Sequence, residues 1–294
     1  ERNQNRGAGA AMNYRECYEW GRQSLKAAGI EEADLDARLL LETICHTDRN
    51  TLLVHGDRQV SHEEESAYND WISSRARHIP LQYITGEQEF MGLTFLVNEH
   101  VLIPRQDTEI LVEEVLRQLT DGSRILDMCT GSGCILLSLL HYSNDCQGTG
   151  ADISKEALAV ARENADQLGI QARFVEGNLF ENIDGKYDFI VSNPPYIPTA
   201  VIDGLMEEVR LHEPLTALDG KEDGLIFYRR ILEDGTEHLM RGGGLYFEIG
   251  FDQGAAVKKM MEEAGFHEVQ VTKDFAGLDR VVSGFWYGTD TLPQ

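Results

Sequence analysis

The chain has 294 residues, 42% of them hydrophobic, enough for one large domain or a large and a small one, and no stretch approaches the ~18 consecutive apolar residues of a membrane span. Against 26 Lys and Arg stand 50 Asp and Glu, a formal net charge of -24, which weighs against a nucleic-acid substrate because phosphates are normally met by a basic face. Cys17, Cys45, Cys129, Cys134 and Cys146 include no Cys-x-x-Cys pair and the histidines no His-Glu-x-x-His string, so reduced thiols, no metal site and a cytoplasmic location are expected.

Residues 1–11 end in Gly-Ala-Gly-Ala-Ala before Met12 and have no apolar segment, so they read as an appended leader rather than a signal peptide. From Met12 to about His78 the pattern is helical. Leu35, Leu39, Leu40 and Ile44 recur at the spacing of one helical face, and Ser61-His62-Glu63-Glu64 is a capping box opening a helix through Trp71. Residues 12–80 are therefore expected to form a small helical domain. Pro80 breaks it, and residues 81–104 read as a linker with a hairpin, Phe90, Leu93, Phe95 and Val97 being its apolar positions. A helix follows from about Asp107, with Ile110, Leu111, Val115, Leu116 and Leu119 on one face.

From Arg124 strands and helices alternate. Arg124–Met128, Gly148–Ile153, Ala172–Glu176, Tyr187–Ser192 and Gly244–Ile249 read as buried strands, separated by helices over Cys134–Leu140, Ser154–Leu168 and Leu225–Leu239. A helix over Gln253–Ala264 and strands over Val269–Thr272 and Val281–Tyr287 complete the series, the last two joined closely enough to be antiparallel. This order predicts an α/β fold for residues 105–294, a doubly wound, mostly parallel seven-stranded sheet of Rossmann-like type.

Two features point to a ligand. Asp127-Met128-Cys129-Thr130-Gly131-Ser132-Gly133 follows the first strand, where glycines permit a tight turn and let backbone amides approach a ligand. It is not the dinucleotide fingerprint, since Leu136 stands where a third glycine belongs. Asp152 ends the second strand, where a carboxylate can accept from both hydroxyls of a ribose, although helix-start acids also occur there. Turn and carboxylate together imply an adenosine-containing cofactor.

The second feature is Asn193-Pro194-Pro195-Tyr196, at the end of the fourth strand. Prolines cannot donate, and they hold the chain extended with carbonyls free to accept. With the Asn193 side-chain carbonyl, they can take both N–H groups of a planar –NH2 against the Tyr196 ring. An amide nitrogen is a poor nucleophile because its lone pair is delocalised. Accepting both hydrogens favours pyramidalisation, so positioning and electrostatics can supply the acceleration.

These motifs, with Pro80-Leu81-Gln82-Tyr83-Ile84-Thr85-Gly86, Glu89-Phe90, Leu102-Ile103-Pro104-Arg105-Gln106-Asp107-Thr108-Glu109 and Glu213-Pro214-Leu215-Thr216-Ala217-Leu218, give the chain a marked likeness over Met12 to Tyr287. It resembles the release-factor glutamine methyltransferases, the PrmC/HemK family. The resemblance implies a class I methyltransferase domain and methyl transfer from S-adenosyl-L-methionine, leaving S-adenosyl-L-homocysteine. The acceptor would be the glutamine amide of the Gly-Gly-Gln motif in peptide chain release factors, with residues 12–80 recognising that protein. It further implies that Cys129, Thr130, Gly131, Ser132, Gly133, Asp152, Asn178, Leu179 and Asn193 line the cofactor site, and that Asn193, Pro194, Pro195 and Tyr196 hold the glutamine. Two residues depart from the family pattern: Cys129 stands where Gly is usual and Asn178 where Asp is usual. Asn178 can still accept from an adenine amino group, whereas a side chain at 129 could crowd the cofactor. Arg105 either orients the acceptor or pairs with a structural acid, the latter being favoured. Asn-Pro-Pro-Tyr is shared with adenine-amino methyltransferases of DNA or RNA, the alternative reading, which the acidic balance and helical domain oppose. A non-catalytic cofactor-binding protein would have no need of the acceptor clamp.

Overall fold

The computed structural model describes residues 11–288 and divides into two compact units at Gly86, so the leader expected at 1–11 lies outside the described residues except for Ala11. The first unit is helical. Helix α1 (Tyr14–Ala27) starts at an Asn13 capping box and buries Tyr14, Cys17, Gly21 and Leu25, a single stripe at helical spacing. Helices α2 (Ala33–Ile44), α3 (Arg49–Val54) and α4 (His62–Arg75) follow, α4 entering through the Ser61–Glu64 capping box. The short α5 (Leu81–Thr85) also belongs to this unit, so the expected linker 81–104 begins with a helix.

Helix α2 is rotated from the expected face. Leu35 is exposed and Leu39 only half-buried, while Ala33, Asp36, Ala37, Leu40 and Leu41 face the core. The reason is a buried ion pair: Arg75 Nε donates to Asp36 Oδ2 at 2.7 Å, which lets a carboxylate occupy an inward position. The Tyr68 hydroxyl donates to the Ala37 carbonyl at 2.9 Å and so satisfies the other buried polar group on that face.

The second unit opens with a hairpin of β1 (Glu87–Phe90) and β2 (Leu93–Leu96), then a 3-10 turn at Gln106–Thr108 and α6 (Glu109–Leu116). The alternation then runs β3 (Arg124–Met128), α7 (Cys134–His141), β4 (Gln147–Asp152), α8 (Lys155–Leu168), β5 (Arg173–Glu176) and β6 (Tyr187–Ser192). Three short helices, α9 (Thr199–Ile202), α10 (Glu207–His212) and α11 (Leu215–Leu218), were not legible, being too short to show a period. After them come α12 (Ile226–Gly235), β7 (Leu239–Glu248), α13 (Gly254–Glu263), β8 (His267–Lys273) and β9 (Asp279–Trp286). The helix expected over Leu225–Leu239 therefore stops at Gly235. Leu239 instead opens β7, buried and in register with Tyr187, and the Gly242-Gly243-Gly244 run conceals that strand's pattern.

The seven strands stand in the order β5-β4-β3-β6-β7-β9-β8, parallel through β7, with β9 antiparallel to both neighbours. Alternate residues feed two cores, one on each face. Ile125, Phe189, Val191 and Tyr246 join α6 and α7, while Leu126, Ile190, Leu245 and Phe247 join α12 and α13. The chain leaves β3 in one direction through β4 and β5, then returns to its other side with β6. That reversal opens a crevice at the carboxyl ends of β3, β4 and β6.

Asn164 of α8 supports the crevice from behind. Fully buried, its amide accepts from Leu96 N–H at 2.6 Å and donates to the carbonyls of Leu96 and Ser132 at 3.1 and 3.0 Å. Hairpin and glycine turn thus share one side chain. Asn164→Ala strands these backbone groups in the interior and should destabilise the protein by about 2–4 kcal/mol, read as a lower urea midpoint at unchanged slope. A midpoint at the wild-type value would show that water replaces the amide at no cost.

Candidate active site

The glycine turn begins on a buried acid. Asp127 is fully buried, its Oδ2 accepting from the Thr130 hydroxyl at 2.6 Å, and burial pushes its carboxyl up to about 7 against that bond's opposing effect. Beyond it Cys129, Gly131 and Gly133 take left-handed backbone angles, φ 64°, 54° and 80°. Glycine adopts these freely, and at Gly131 an added Cβ would meet no atom within 4 Å, so the backbone edge there is bare. At Gly133 a Cβ would come within 3.3 Å of Ala161 and Leu137, so this glycine serves the packing of α7 on α8.

Asp152 ties the turn to the neighbouring strand end. Its two oxygens accept from Gly131 N–H and Ser154 N–H, each at 2.9 Å. Burial raises its carboxyl above the usual range, and these amide donors work against the rise. Each oxygen keeps a further lone pair. On the other side of β3, the Ser192 hydroxyl donates to the Met128 carbonyl at 2.5 Å, bringing the start of Asn193–Tyr196 level with Cys129.

These elements wall a cavity of about 320 Å³, within the ~300–1,000 Å³ span of small-molecule sites. Of the residues expected to form the site, Cys129, Thr130, Gly131, Ser132, Asp152, Asn178, Leu179, Asn193 and Pro195 line it. Gly133, Pro194 and Tyr196 do not. Pro194 is buried, and the Tyr196 ring packs on the core under β6 with its hydroxyl donating to Glu248 Oε1 at 3.2 Å. The expected placing of that ring against an acceptor is therefore not seen; the hydroxyl's bond turns it inward.

Asn178 is engaged as well. Its side-chain oxygen accepts from Arg230 Nη2 at 3.0 Å, and Arg230 lines the same cavity. Nothing in the spacing of the chain pointed to Arg230, which lies on α12, 52 residues further on. Arg105 pairs with Glu213, whose side chain is almost wholly buried and also accepts from Ile103 N–H at 3.2 Å. Burial raises the Glu213 carboxyl and Arg105 opposes it. This clasp holds Pro104 and Pro214, both lining residues, on the rim. Among the described residues no group of three or more His, Cys, Asp or Glu is placed to hold a metal ion, and no helix is long and apolar enough to cross a membrane.

Residues 16–86 match the PrmC N-terminal domain family and residues 105–209 the methyltransferase small domain family. A release factor glutamine methyltransferase of Geobacter sulfurreducens is 43% identical over 92% of this chain and 95% of its own length. Another, of Moorella thermoacetica, is 45% identical over 87% and 92%. In fold the chain is also similar to a methyltransferase structure from Pyrococcus furiosus, at TM-score 0.51 and 20% identity over 68% of this chain and 91% of that one. The chain belongs to the release factor glutamine methyltransferase family, enzymes that methylate protein glutamine.

The left-handed backbone at Cys129 sets a limit on what can stand there. A β-branched side chain is strained at such angles, so Cys129→Val should lower stability by about 1–3 kcal/mol, whereas Cys129→Gly should fold at least as well. Thermal melts of the two variants measure this. Equal melting temperatures would show that φ at residue 129 is not a constraint.

Proposed function

We propose that this member of the release factor glutamine methyltransferase family transfers a methyl group from S-adenosyl-L-methionine to the side-chain amide nitrogen of the glutamine in the Gly-Gly-Gln motif of peptide chain release factors. One observation carries the reading: a single cavity is lined both by the glycine turn with Asp152 and by Asn193 and Pro195. The first set suits a nucleoside, with bare backbone at Gly131 and free lone pairs on Asp152. The second offers the side-chain carbonyl of Asn193 and the carbonyl of Pro195, a residue with no N–H of its own.

S-adenosyl-L-methionine would supply a methyl carbon already activated by its sulfonium. The work left to the chain is alignment. Asp152 would hold the ribose hydroxyls while its existing bonds to Gly131 and Ser154 fix the carboxylate's own direction. The carbonyls of Asn193 and Pro195 would accept both amide hydrogens, turning the nitrogen lone pair toward the methyl. The N–C bond formed would replace the donor's S–C bond, and one proton of the nitrogen would pass to solvent. The amide needs no prior deprotonation on this account, because pyramidalisation in the transition state is what the acceptors favour.

The direct test offers release factor, free glutamine and DNA to the enzyme side by side with labelled methyl donor. Label on release factor alone, lost when its Gly-Gly-Gln glutamine is replaced, is the expected result; label on DNA adenine would overturn the reading. Asp152→Ala should weaken S-adenosyl-L-methionine binding by about 2–3 kcal/mol in calorimetry, the worth of charge-assisted hydrogen bonds. Asn193→Ala should leave that affinity nearly intact and reduce turnover by about 100-fold or more, because only alignment is lost.

We extend the proposal to the helical unit over residues 12–80, which supplies no residue to the cavity. Leu53 and Val54 of α3 are 70% and 72% exposed, apolar side chains that folding of the unit leaves in water. Remote contacts of that kind can orient a reacting group on a folded protein. A Leu53→Glu, Val54→Glu double variant of the full chain should raise the KM for release factor about tenfold with kcat unchanged. An unchanged KM would leave α3 outside the recognition surface.

A further inference from the structure

Glu248, the last residue of β7, is 2% exposed and lies outside the cavity wall. Its Oε1 accepts from the Tyr196 hydroxyl at 3.2 Å, and the buried Thr108 hydroxyl lies beside the carboxylate. Burial pushes this carboxyl up to about 7, opposed by Thr108, Arg280 and Tyr196 around it. A core needs no such group, since an apolar side chain of the same size would cost far less to bury.

The other end of Tyr196 is held from the same place. Its backbone carbonyl accepts from Gln253 Nε2 at 3.0 Å, and Gln253 Oε1 in turn accepts from Gly250 N–H at 2.9 Å. Tyr228 of α12 closes the set, its hydroxyl donating to the Glu248 carbonyl at 2.9 Å. Beside Gln253, a Cβ at Gly224 would stand 2.3 Å from the Tyr196 carbonyl oxygen, so the chain there can approach only as glycine. Tyr196 is thus gripped at ring tip and backbone, immediately after the two residues, Asn193 and Pro195, that face the cavity.

We infer that Glu248 is a positioning residue for methyl transfer: by holding the Tyr196 hydroxyl, with Gln253 on the Tyr196 carbonyl, it keeps Asn193 and Pro195 on the cavity wall at the geometry the acceptor amide requires. The inference rests on the amide-clamp reading above. It adds that the clamp's rigidity comes from the end of β7.

Two measurements on the full-length protein separate the inference from that reading. Amide exchange needs no substrate. In Glu248→Ala the Ile197 amide, which donates to the Leu218 carbonyl at 3.0 Å, should exchange about tenfold faster or more, while amides in β3 and β4 keep their protection. In the methylation assay Glu248→Ala should lower kcat about 30-fold, with KM for release factor and affinity for S-adenosyl-L-methionine within about threefold of wild type. Glu248→Gln retains an oxygen for the Tyr196 hydroxyl and should recover most of kcat. Tyr196→Phe should cost as much as Glu248→Ala, and the double variant no more than either. If Glu248→Ala does not fold, Tyr196→Phe removes the same hydrogen bond from the other side and should show the faster Ile197 exchange and the loss of kcat by itself, while Glu248→Gln stays near wild type in both; wild-type exchange and kcat in Tyr196→Phe would overturn the inference. Unchanged exchange at Ile197, or additive losses in the double variant, would overturn the inference. Wild-type enzyme inert toward release factor would instead overturn the functional reading, and the exchange data would still decide the role of Glu248.

Discussion

Parallel pairing of β3 with both β4 and β6 is the constraint on which the rest depends. A parallel sheet aligns strand ends of one polarity, so the turns that leave β3, β4 and β6 emerge side by side without further design. Two short bonds then lock that alignment. Ser192 donates to the carbonyl of Met128, and Asp152 accepts from Gly131 N–H. Each joins the last residue of one strand to the end or following turn of its neighbour. Asn164, on the buried face of α8, holds the Ser132 carbonyl and so completes the support of the glycine turn. The cavity follows from these crossings: the turns after β3, β4 and β6 form one side of it, their directions set by the strands behind them, and Arg230 of α12 with Pro104 and Pro214 adds further lining.

The same ends carry three acids whose carboxyls burial raises: Asp127 in β3, Asp152 at the end of β4 and Glu248 at the end of β7. Each has a different task that only an acceptor can perform. Asp127 receives the Thr130 hydroxyl and shapes the turn, Asp152 receives backbone amides and faces the cavity, and Glu248 receives the Tyr196 hydroxyl from beneath. Hydrophobic replacements would bury more cheaply, but they could not fix the direction of a hydroxyl or an amide. The cost falls on stability and the gain on geometry, the distribution seen where a site must be held rigid.

How much of this was legible follows from the length scale of each signal. The strands β3 and β6 were legible from the short apolar runs Ile125-Leu126 and Phe189-Ile190-Val191, and β4, whose Gln147-Gly148-Thr149-Gly150 is hardly apolar, from its place in the alternation of strands and helices. The glycine turn and Asp152 followed from their place at those strand ends. That Asn193 and Pro195 stand beside this turn followed from their place after the fourth strand, whereas the inward turn of Tyr196 did not. The rest depended on partners far along the chain. Glu248 meets Tyr196 across 52 residues and Gln253 meets it across 57, and no local pattern encodes either meeting. The α2 face was misjudged for a related reason, since Asp36 is inward only because Arg75 lies opposite, 39 residues away. Leu239 was placed in a helix because three glycines interrupt the strand it begins.

Cys129 shows how local rules and site geometry can disagree within one turn. Its left-handed φ is the conformation for which glycine is suited, yet the residue carries a thiol that burial keeps protonated. Such backbone angles cost on the order of 1–3 kcal/mol for a residue with a Cβ, and persist only when surrounding bonds hold them. The surrounding bonds are present: Thr130 N–H to the Ala151 carbonyl at 3.0 Å, the Thr130 hydroxyl to Asp127, and Gly131 N–H to Asp152. The turn therefore takes its shape from its neighbours and not from the preference of residue 129. Strain at this position is thus evidence for how firmly the turn is held, since a looser turn would have relaxed toward angles that a cysteine prefers.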